Sequence, residues 1–586
     1  MVGKEIEKEN FMKKLIVSLL VLTIAMAMVF AGGSSESTKV EEKQETVFAG
    51  GWPYSTPPTG HFNMFVSNAI EIKYFRELHQ LPLATYESAT DTYVPLLAES
   101  WEISEDGSNY IVSLRKDAKW LSGDSFTAKD VWTTFMMYKL VGNAVWNYID
   151  SVNVVDDYTV SFGIKTPTTM INRYILRKPI VDYKTYGEYA DRFEALLAEG
   201  KDSESAEYKK LQSDFAEFRP TLVNATGPWY INPEKVTASY IEMEKNPNSF
   251  LKDTVAFDKI IVYNGDVPEL SPLVLNGEID YLTHQFPGSN YDTFTAMGYD
   301  ILQLPGVDGI ALYINEDVYP LGIKEVRQAL AYVIDRERVG ALANPGVSRG
   351  TKYITGLGDN ASVAWCDTSL LIDYSHDEAK ASALLESVGF TKKNGQWFTP
   401  EGKQFTLTVQ SPTSWSDASV AADEVAQQLT AFGIKTVFVG IDATMRQSNI
   451  NDGSYDLALS FFGTAQPHPM FAYETPLLVS NANAPKGLSY PMVQNTERYG
   501  EVNVEELIYA STAGWDTEAQ REIVEKLIVT VNETVPYIPL YTKWSKNLSS
   551  NGFRTTWEAD ESLYMNSPGD DSFVVIQLLN GQIKPL

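Results

Sequence analysis

A mixed α/β fold built from at least two units is predicted by three observations on this chain. Its 586 residues exceed what one hydrophobic core organises, since single cores stop growing at roughly 250–300 residues. Residues 95–131 read as strand, turn, strand and helix in succession. Residues 403–463 then repeat strand, helix, strand, helix, strand, the rhythm of a largely parallel sheet.

Each element has a local cause. Trp101 to Ser104 and Asn109 to Arg115 alternate apolar and polar side chains about Glu105-Asp106-Gly107, a turn whose glycine tolerates positive φ, which predicts a β-hairpin. Thr127-Ala128-Lys129-Asp130 has capping-box spacing, with Asp in the usual place of Glu, ahead of Val131, Trp132, Phe135 and Met136 at helical spacing. A second hairpin is expected over Val152 to Lys165, turned at Asp156-Asp157, and a solvated pair of helices between Tyr186 and Pro220, broken at Gly200. Gly309 to Glu316 reads as a strand entering a second unit, followed by a helix over Val326 to Val339. Lys403 to Ser411, Gln428 to Asp442 and Tyr455 to Gly463 supply the repeating rhythm, and Pro536 to Trp544 returns the chain.

The composition is that of a globular protein, 44% hydrophobic and 21% charged, with a formal charge of −29. Nucleic acid and anionic lipid are poor partners for such a surface, because binding them requires Lys and Arg to replace counterions. Met12-Lys13-Lys14, the apolar run after it and small residues before Ala31 predict a secretory signal over 1–31, with translation starting at Met12 as one reading. A retained anchor is the competing reading, because about 17 apolar residues lie at the lower limit for spanning a bilayer. The polar stretch 32–45 reads as a flexible linker. Cys366 is the single cysteine, so an intramolecular disulfide and multi-Cys zinc sites are excluded. The five histidines are scattered without metal-ligand spacing, and no metal or cofactor is expected.

Several segments together resemble one family. PLLAESWE from Pro95, DG-x-x-Y-x-x-x-LRKDAKW from Asp106 and SGDSFTAKDV from Ser122 resemble the hallmark of the extracytoplasmic solute-binding proteins, family 5, of peptide and oligosaccharide ABC importers. LNGEIDYL from Leu275, VRQALAYVIDRERV from Val326 and HDEAKASALLESVGF from His376 extend the resemblance, as do TGPWYI from Thr226 and VPYIPLY from Val535. It implies an α/β, two-lobed periplasmic-binding-protein fold with hinge crossover strands. Lobe one would take 46–308 and 540–586, and lobe two 309–539. It further implies a monomeric, exported, non-catalytic protein that closes on a ligand and presents it to ABC permease and ATPase subunits. The absence of Cys at the cleavage site argues against a lipid anchor.

Peptide binders of this family meet the ligand's ammonium with an Asp in a segment that here reads FFGTAQPHPMF, Phe461 to Phe471, without a carboxylate. A buried ammonium lacking an anion is costly, although Glu474 lies just beyond. Segments 48–65 and 411–434 resemble the β-glucan and cello-oligosaccharide branch. Pyranose rings offer apolar faces to Trp and Tyr and hydroxyls to amides and carboxylates. The residues singled out are accordingly Trp52, Trp415 and Trp544 for stacking, and Asn63, Asp417, Gln466 and His468 for polar contact. Phe462 and Tyr473 join them near the carboxyl end of a strand, where ligands gather in α/β sheets. An oligosaccharide of the cellobiose or β-glucan kind is the first expectation, and an oligopeptide or dipeptide the alternative. A secreted glycoside hydrolase is a third class, which would need two carboxylates about 5–9 Å apart. No local motif singles out such a pair, nor is there a G-x-S-x-G elbow, an H-E-x-x-H or a phosphate-binding loop.

Overall fold

The computed structural model describes residues 45–586 apart from 53–59, 67–68, 71, 89, 265–269, 284–285, 287, 305, 465–467, 483–484 and 558–571. The expected signal over 1–31 and nearly all of the linker lie outside the described residues. Among those described, no helix is long and apolar enough to cross a membrane.

Thr46–Leu586 forms one contact unit, organised on two principal sheets. The seven-stranded sheet runs in the order Asp300–Leu304, Ser545–Ser549, Tyr281–Leu282, Val47–Trp52, Lys259–Asn264, Tyr240–Lys245 and Trp229–Val236. The six-stranded sheet runs Ser348–Gly350, Tyr537–Lys543, Asp308–Ile314, Leu457–Gly463, Thr406–Pro412 and Lys435–Ile441. Its last three strands are mutually parallel, as the rhythm predicts, but Asp308–Ile314 is antiparallel to both neighbours. The reason is connectivity: this strand brings the chain in from the first sheet, and Tyr537–Lys543 beside it takes the chain back through Trp544 to Ser545–Ser549. The two crossings run in contact. A Cβ at Gly306 would meet the Lys543 carbonyl oxygen at 2.5 Å, so only glycine fits there.

A four-stranded antiparallel sheet, Ala98–Ile103, Asn109–Leu114, Thr159–Ile164 and Ile149–Asp156, contains both expected hairpins. Gly107 takes φ +71° at the first turn. The helix Ala128–Leu140 begins as its capping box predicts, with the Thr127 N–H donating to the Asp130 carboxylate at 2.7 Å. Asp130 also accepts from the Tyr183 N–H at 2.8 Å, so one carboxylate starts one helix and anchors the approach to the next. The expected helical pair is Tyr183–Ala198 and Ala206–Ala216. It is only half solvated, since Tyr186, Ala190, Phe193, Tyr208, Leu211 and Phe215 are buried in the core.

One element departs from its periodicity. The helix expected over Val326–Val339 is two helices, Lys324–Val333 and Arg336–Ala343. Ile334 turns extended, the Asp335 N–H donates to the Gln428 side chain at 2.7 Å, and the Asp335 carboxylate caps the second helix by accepting from the Arg338 N–H at 3.1 Å. A capping residue inside an apolar period stops the helix there.

His79 lies deep in the first core with no partner at Nδ1. Burial, then the charge of Arg76, pushes its imidazole down to about 3. An unfolded histidine titrates near 6.5, so the unfolded chain binds more protons between these values. This contribution to stability is present above pH 6.5 and is lost as pH falls toward 3. Asp130, raised to about 6 by burial, acts in the opposite sense, so a difference measurement isolates His79. Between pH 7 and 4.5 the wild type should lose more urea resistance than His79→Gln, and equal losses would contradict the assignment.

Candidate ligand-binding cleft

Three adjoining cavities lie between the half built on the seven- and four-stranded sheets and the half built on the six-stranded sheet. The largest, about 560 Å³, is lined by Arg173, Tyr174, Arg177 and Lys178 on one side. Asp308, Thr464, Phe471 and Glu474 line it from the other. Its volume falls in the range of small-ligand sites.

The basic wall is held in place from behind. Helix Ile171–Leu176 directs Arg173 and Tyr174 to the cavity, and Arg177 and Lys178 follow at its end. Arg177 pairs with Glu77 at 3.3 Å, both side chains being only 11% exposed. The Lys178 Nζ donates to the Asn143 side-chain oxygen at 3.2 Å and lies 4.9 Å from the Tyr138 ring centre. Burial, and then Arg173, hold its ammonium down to about 8. Tyr174 stacks on Tyr148 at 4.3 Å. Opposite, burial raises the Asp308 carboxyl, and the charge of Lys543 offsets part of the rise. Glu474 opens a π-helical turn, Glu474–Val479, an irregularity frequent at functional sites.

Two further cavities, about 430 and 360 Å³, share Tyr86, Asp91, Trp365 and His468 in their linings. The smaller also shares Thr464 with the charged cavity. The Tyr86 hydroxyl donates to Asp91 at 2.7 Å. His468 packs edge-on to Trp365 at 5.0 Å, and its Nδ1 accepts from the Met470 N–H at 3.1 Å. Burial pushes this imidazole down to about 4, which keeps it neutral near pH 7 and places its proton on Nε2. That atom is buried without a protein partner.

The residues singled out from sequence are dispersed. His468 lines the cleft. Trp52 is fully buried against Phe75, Phe48 and Tyr281, leaving no face for a ligand to stack on. Asn63 is equally buried and braces the scaffold, donating to the Phe215 and Phe218 carbonyls at 3.3 and 3.4 Å and accepting from the Phe65 N–H at 3.2 Å. Phe462 and Tyr473 are core residues, with the Tyr473 hydroxyl donating to the Thr355 carbonyl at 2.7 Å. Trp544 sits in the returning crossover, 5.7 Å from the Arg349 guanidinium. Gln466 lies outside the described residues.

Trp415 and Asp417 begin the helix after strand Thr406–Pro412, at the same sheet end as Gly463 and Thr464. Trp415 is half-buried against Phe461 at 5.1 Å, and the Arg446 guanidinium lies 5.3 Å from both rings. Asp417 pairs with Lys543 at 2.7 Å and accepts from the Tyr541 hydroxyl at 3.3 Å, which directs its charge toward the crossover. Sequence reading passed over Arg173, Arg177 and Lys178. Three cations within six residues of a strongly acidic chain were a signal for them.

Residues 92–484 match the family described as bacterial extracellular solute-binding proteins, family 5, middle region. The chain belongs to that family. It is 24% identical to the dipeptide-binding protein of Escherichia coli over 421 residues, 66% of this chain and 68% of the relative. With the oligopeptide-binding protein AppA of Bacillus subtilis it shares 24% identity over 477 residues, 76% of this chain and 77% of AppA. In fold it is similar to a periplasmic oligopeptide-binding protein of an oligopeptide ABC transporter from Thermotoga maritima, with a TM-score of 0.74, 22% identity, and coverage of 93% of this chain and 100% of that one. A second structure of the Thermotoga protein holds mannohexaose and matches with a TM-score of 0.66 at 22% identity, covering 93% of this chain and 99% of that one.

Proposed function

We propose that the chain is the exported substrate-binding component of an ABC importer and that its ligand is a short peptide held in the cleft. The observation that carries the peptide is the polarity of the 560 Å³ cavity, cationic at Arg173, Arg177 and Lys178 and anionic at Asp308 and Glu474. A peptide with free ends carries one charge of each sign and offers a partner to both walls. A neutral sugar would bring no complementary charge to either wall, and Arg177 would keep only its existing partner Glu77. Glu474 takes the place of the carboxylate that segment 461–471 lacks. Relatives named for dipeptides and oligopeptides support the same choice.

In this reading the two lobes meet at residues 306–307 and at Trp544, in place of a return boundary at 539–540. Because the ligand touches both lobes only when they are closed, its differential affinity shifts the population toward the closed form. The permease then recognises that form.

An oligosaccharide is the second reading. It is favoured by the mannohexaose held by the Thermotoga relative. A thermal-shift panel on the full chain separates the two, comparing di- to pentapeptides with cello- and manno-oligosaccharides. A ligand at a hundred times its Kd adds about 2.7 kcal/mol, a shift of several degrees. Peptides should shift the transition, and a shift by sugars alone would overturn the choice. If a sugar binds, Trp415→Ala is expected to weaken it at least tenfold, and unchanged sugar affinity would remove Trp415 from the site.

A further inference from the structure

The 430 Å³ chamber has a wall made by direct backbone pairing between the two halves. Thr168 and Ala513 form an isolated antiparallel bridge. The Thr169 N–H donates to the Thr512 carbonyl at 3.2 Å, and the Gly514 N–H to the Pro167 carbonyl at 3.0 Å. Gln520, only 4% exposed, locks this junction. Its side-chain oxygen accepts from the Thr169 hydroxyl at 2.9 Å, while its amide nitrogen donates to the Ala513 and Gly514 carbonyls at 2.8 and 3.2 Å. Thr169 and Gln520 both line the chamber, so the pairing that fastens the halves also bounds the space.

The remaining lining is rich in rings. Tyr86, Tyr93, Trp101 and Met170 come from the first half, and Trp365 and His468 from the second. Tyr86 and Tyr93 lie 5.1 Å apart, and Tyr93 meets Trp101 edge-on at 6.5 Å. Its polar groups are largely committed to one another: Asp91 to the Tyr86 hydroxyl, Gln520 to Thr169, and the Asn172 oxygen to the Tyr110 hydroxyl at 2.6 Å. A guest rich in hydroxyls would find the His468 Nε2–H and few other uncommitted groups there, whereas an aromatic side chain would meet ring faces and edges at the distances that favour offset and edge-on contacts, with that N–H aimed among them. The neutral imidazole of His468 adds no charge.

We infer that this chamber is the subsite for an aromatic side chain of the peptide, and that the Thr169–Gln520 clasp completes it when the halves are closed. The inference rests on the peptide reading above. Gln520 is a positioning residue: it acts through the loop 512–514.

Calorimetric titration of the full chain with tripeptides tests it, using alanine at two positions and Phe, Tyr, Trp, Leu, Ser or Lys at each position in turn. At one position an aromatic residue should bind at least tenfold more tightly than alanine. In Gln520→Ala, and in the milder Thr169→Val, that ratio should fall below threefold, with circular dichroism confirming the fold. A general loss of affinity with the ratio preserved in both variants would reduce the clasp to a structural strut and overturn its role. Equal affinity for alanine and aromatic tripeptides would overturn the subsite while leaving the peptide reading intact. Absence of binding by any peptide would overturn both.

Discussion

Replacing Arg327 with leucine lowers the stability of this protein by about 3–5 kcal/mol, the range for removing one partner of a buried ion pair. The Arg327 guanidinium lies 3.0 Å from Glu316, and their side chains are only 3% and 5% exposed. It does more than neutralise that carboxylate. Nε donates to the Thr534 and Val535 carbonyls, Nη2 to Thr534 and Nη1 to Leu321, at 2.8–3.1 Å. Thr534 ends the 18-residue helix Thr517–Thr534, and Val535 follows in the left-handed region at φ +48°. Arginine therefore supplies the donors that the last helical carbonyls lack. Leucine would strand these acceptors and leave the Glu316 carboxyl, which burial raises to about 8 against the offsetting charge of Arg327, without its partner. The melting temperature should drop by about 3–4 °C for a unit of this length, and the double variant Arg327→Leu/Glu316→Leu should recover part of the loss, because the unpartnered carboxyl is gone. A decrease below about 1 kcal/mol in Arg327→Leu, the upper value for exposed pairs, would mean that this network does not hold the second half together.

If the ligand is a peptide as proposed, a tripeptide acetylated at its amino end and amidated at its carboxyl end should bind at least a hundredfold more weakly than the same peptide with free ends. Truncating one member of a buried, hydrogen-bonded charge pair costs about 2–5 kcal/mol, and a hundredfold corresponds to about 2.7 kcal/mol. In the peptide reading the penalty comes from the walls themselves: a blocked peptide brings no carboxylate to the basic wall of Arg173, Arg177 and Lys178, where Arg177 keeps only its existing partner Glu77, and no ammonium to Asp308 and Glu474. The ends are separable. Glu474→Gln should shrink the penalty for acetylation and leave that for amidation intact, while Arg173→Gln should do the reverse. Equal affinities for blocked and free peptides would show that the charged cavity does not read the termini.

What was legible in the sequence was mostly local. The hairpin about Gly107, the capping box at Thr127 and the parallel strands after residue 403 depend on neighbours within a few positions, so spacing reveals them. The helix break at Asp335 depends on Gln428 receiving its N–H from 93 residues away, and no period shows that. The same limit explains the fate of the site residues. Trp52 and Asn63 have side chains suited to a sugar, but the seven-stranded sheet and the helix Ala206–Ala216 enclose them in the core. Conversely, Tyr86, Arg173, Trp365 and Glu474 converge on one cleft from segments hundreds of residues apart. Their meeting is a product of the two crossovers at residues 306–307 and Trp544. Glu474 was visible as a carboxylate near a segment that lacked one, whereas the basic run Arg173 to Lys178 went unread, although it contrasts with a charge of −29.

Calorimetric titration of the full chain with one free-ended tripeptide and one neutral oligosaccharide of similar size decides whether a zwitterionic peptide is captured between the halves. The peptide should give saturable heat, diminished by Glu474→Gln, and the sugar none. Saturable heat from the sugar with none from the peptide would contradict that capture.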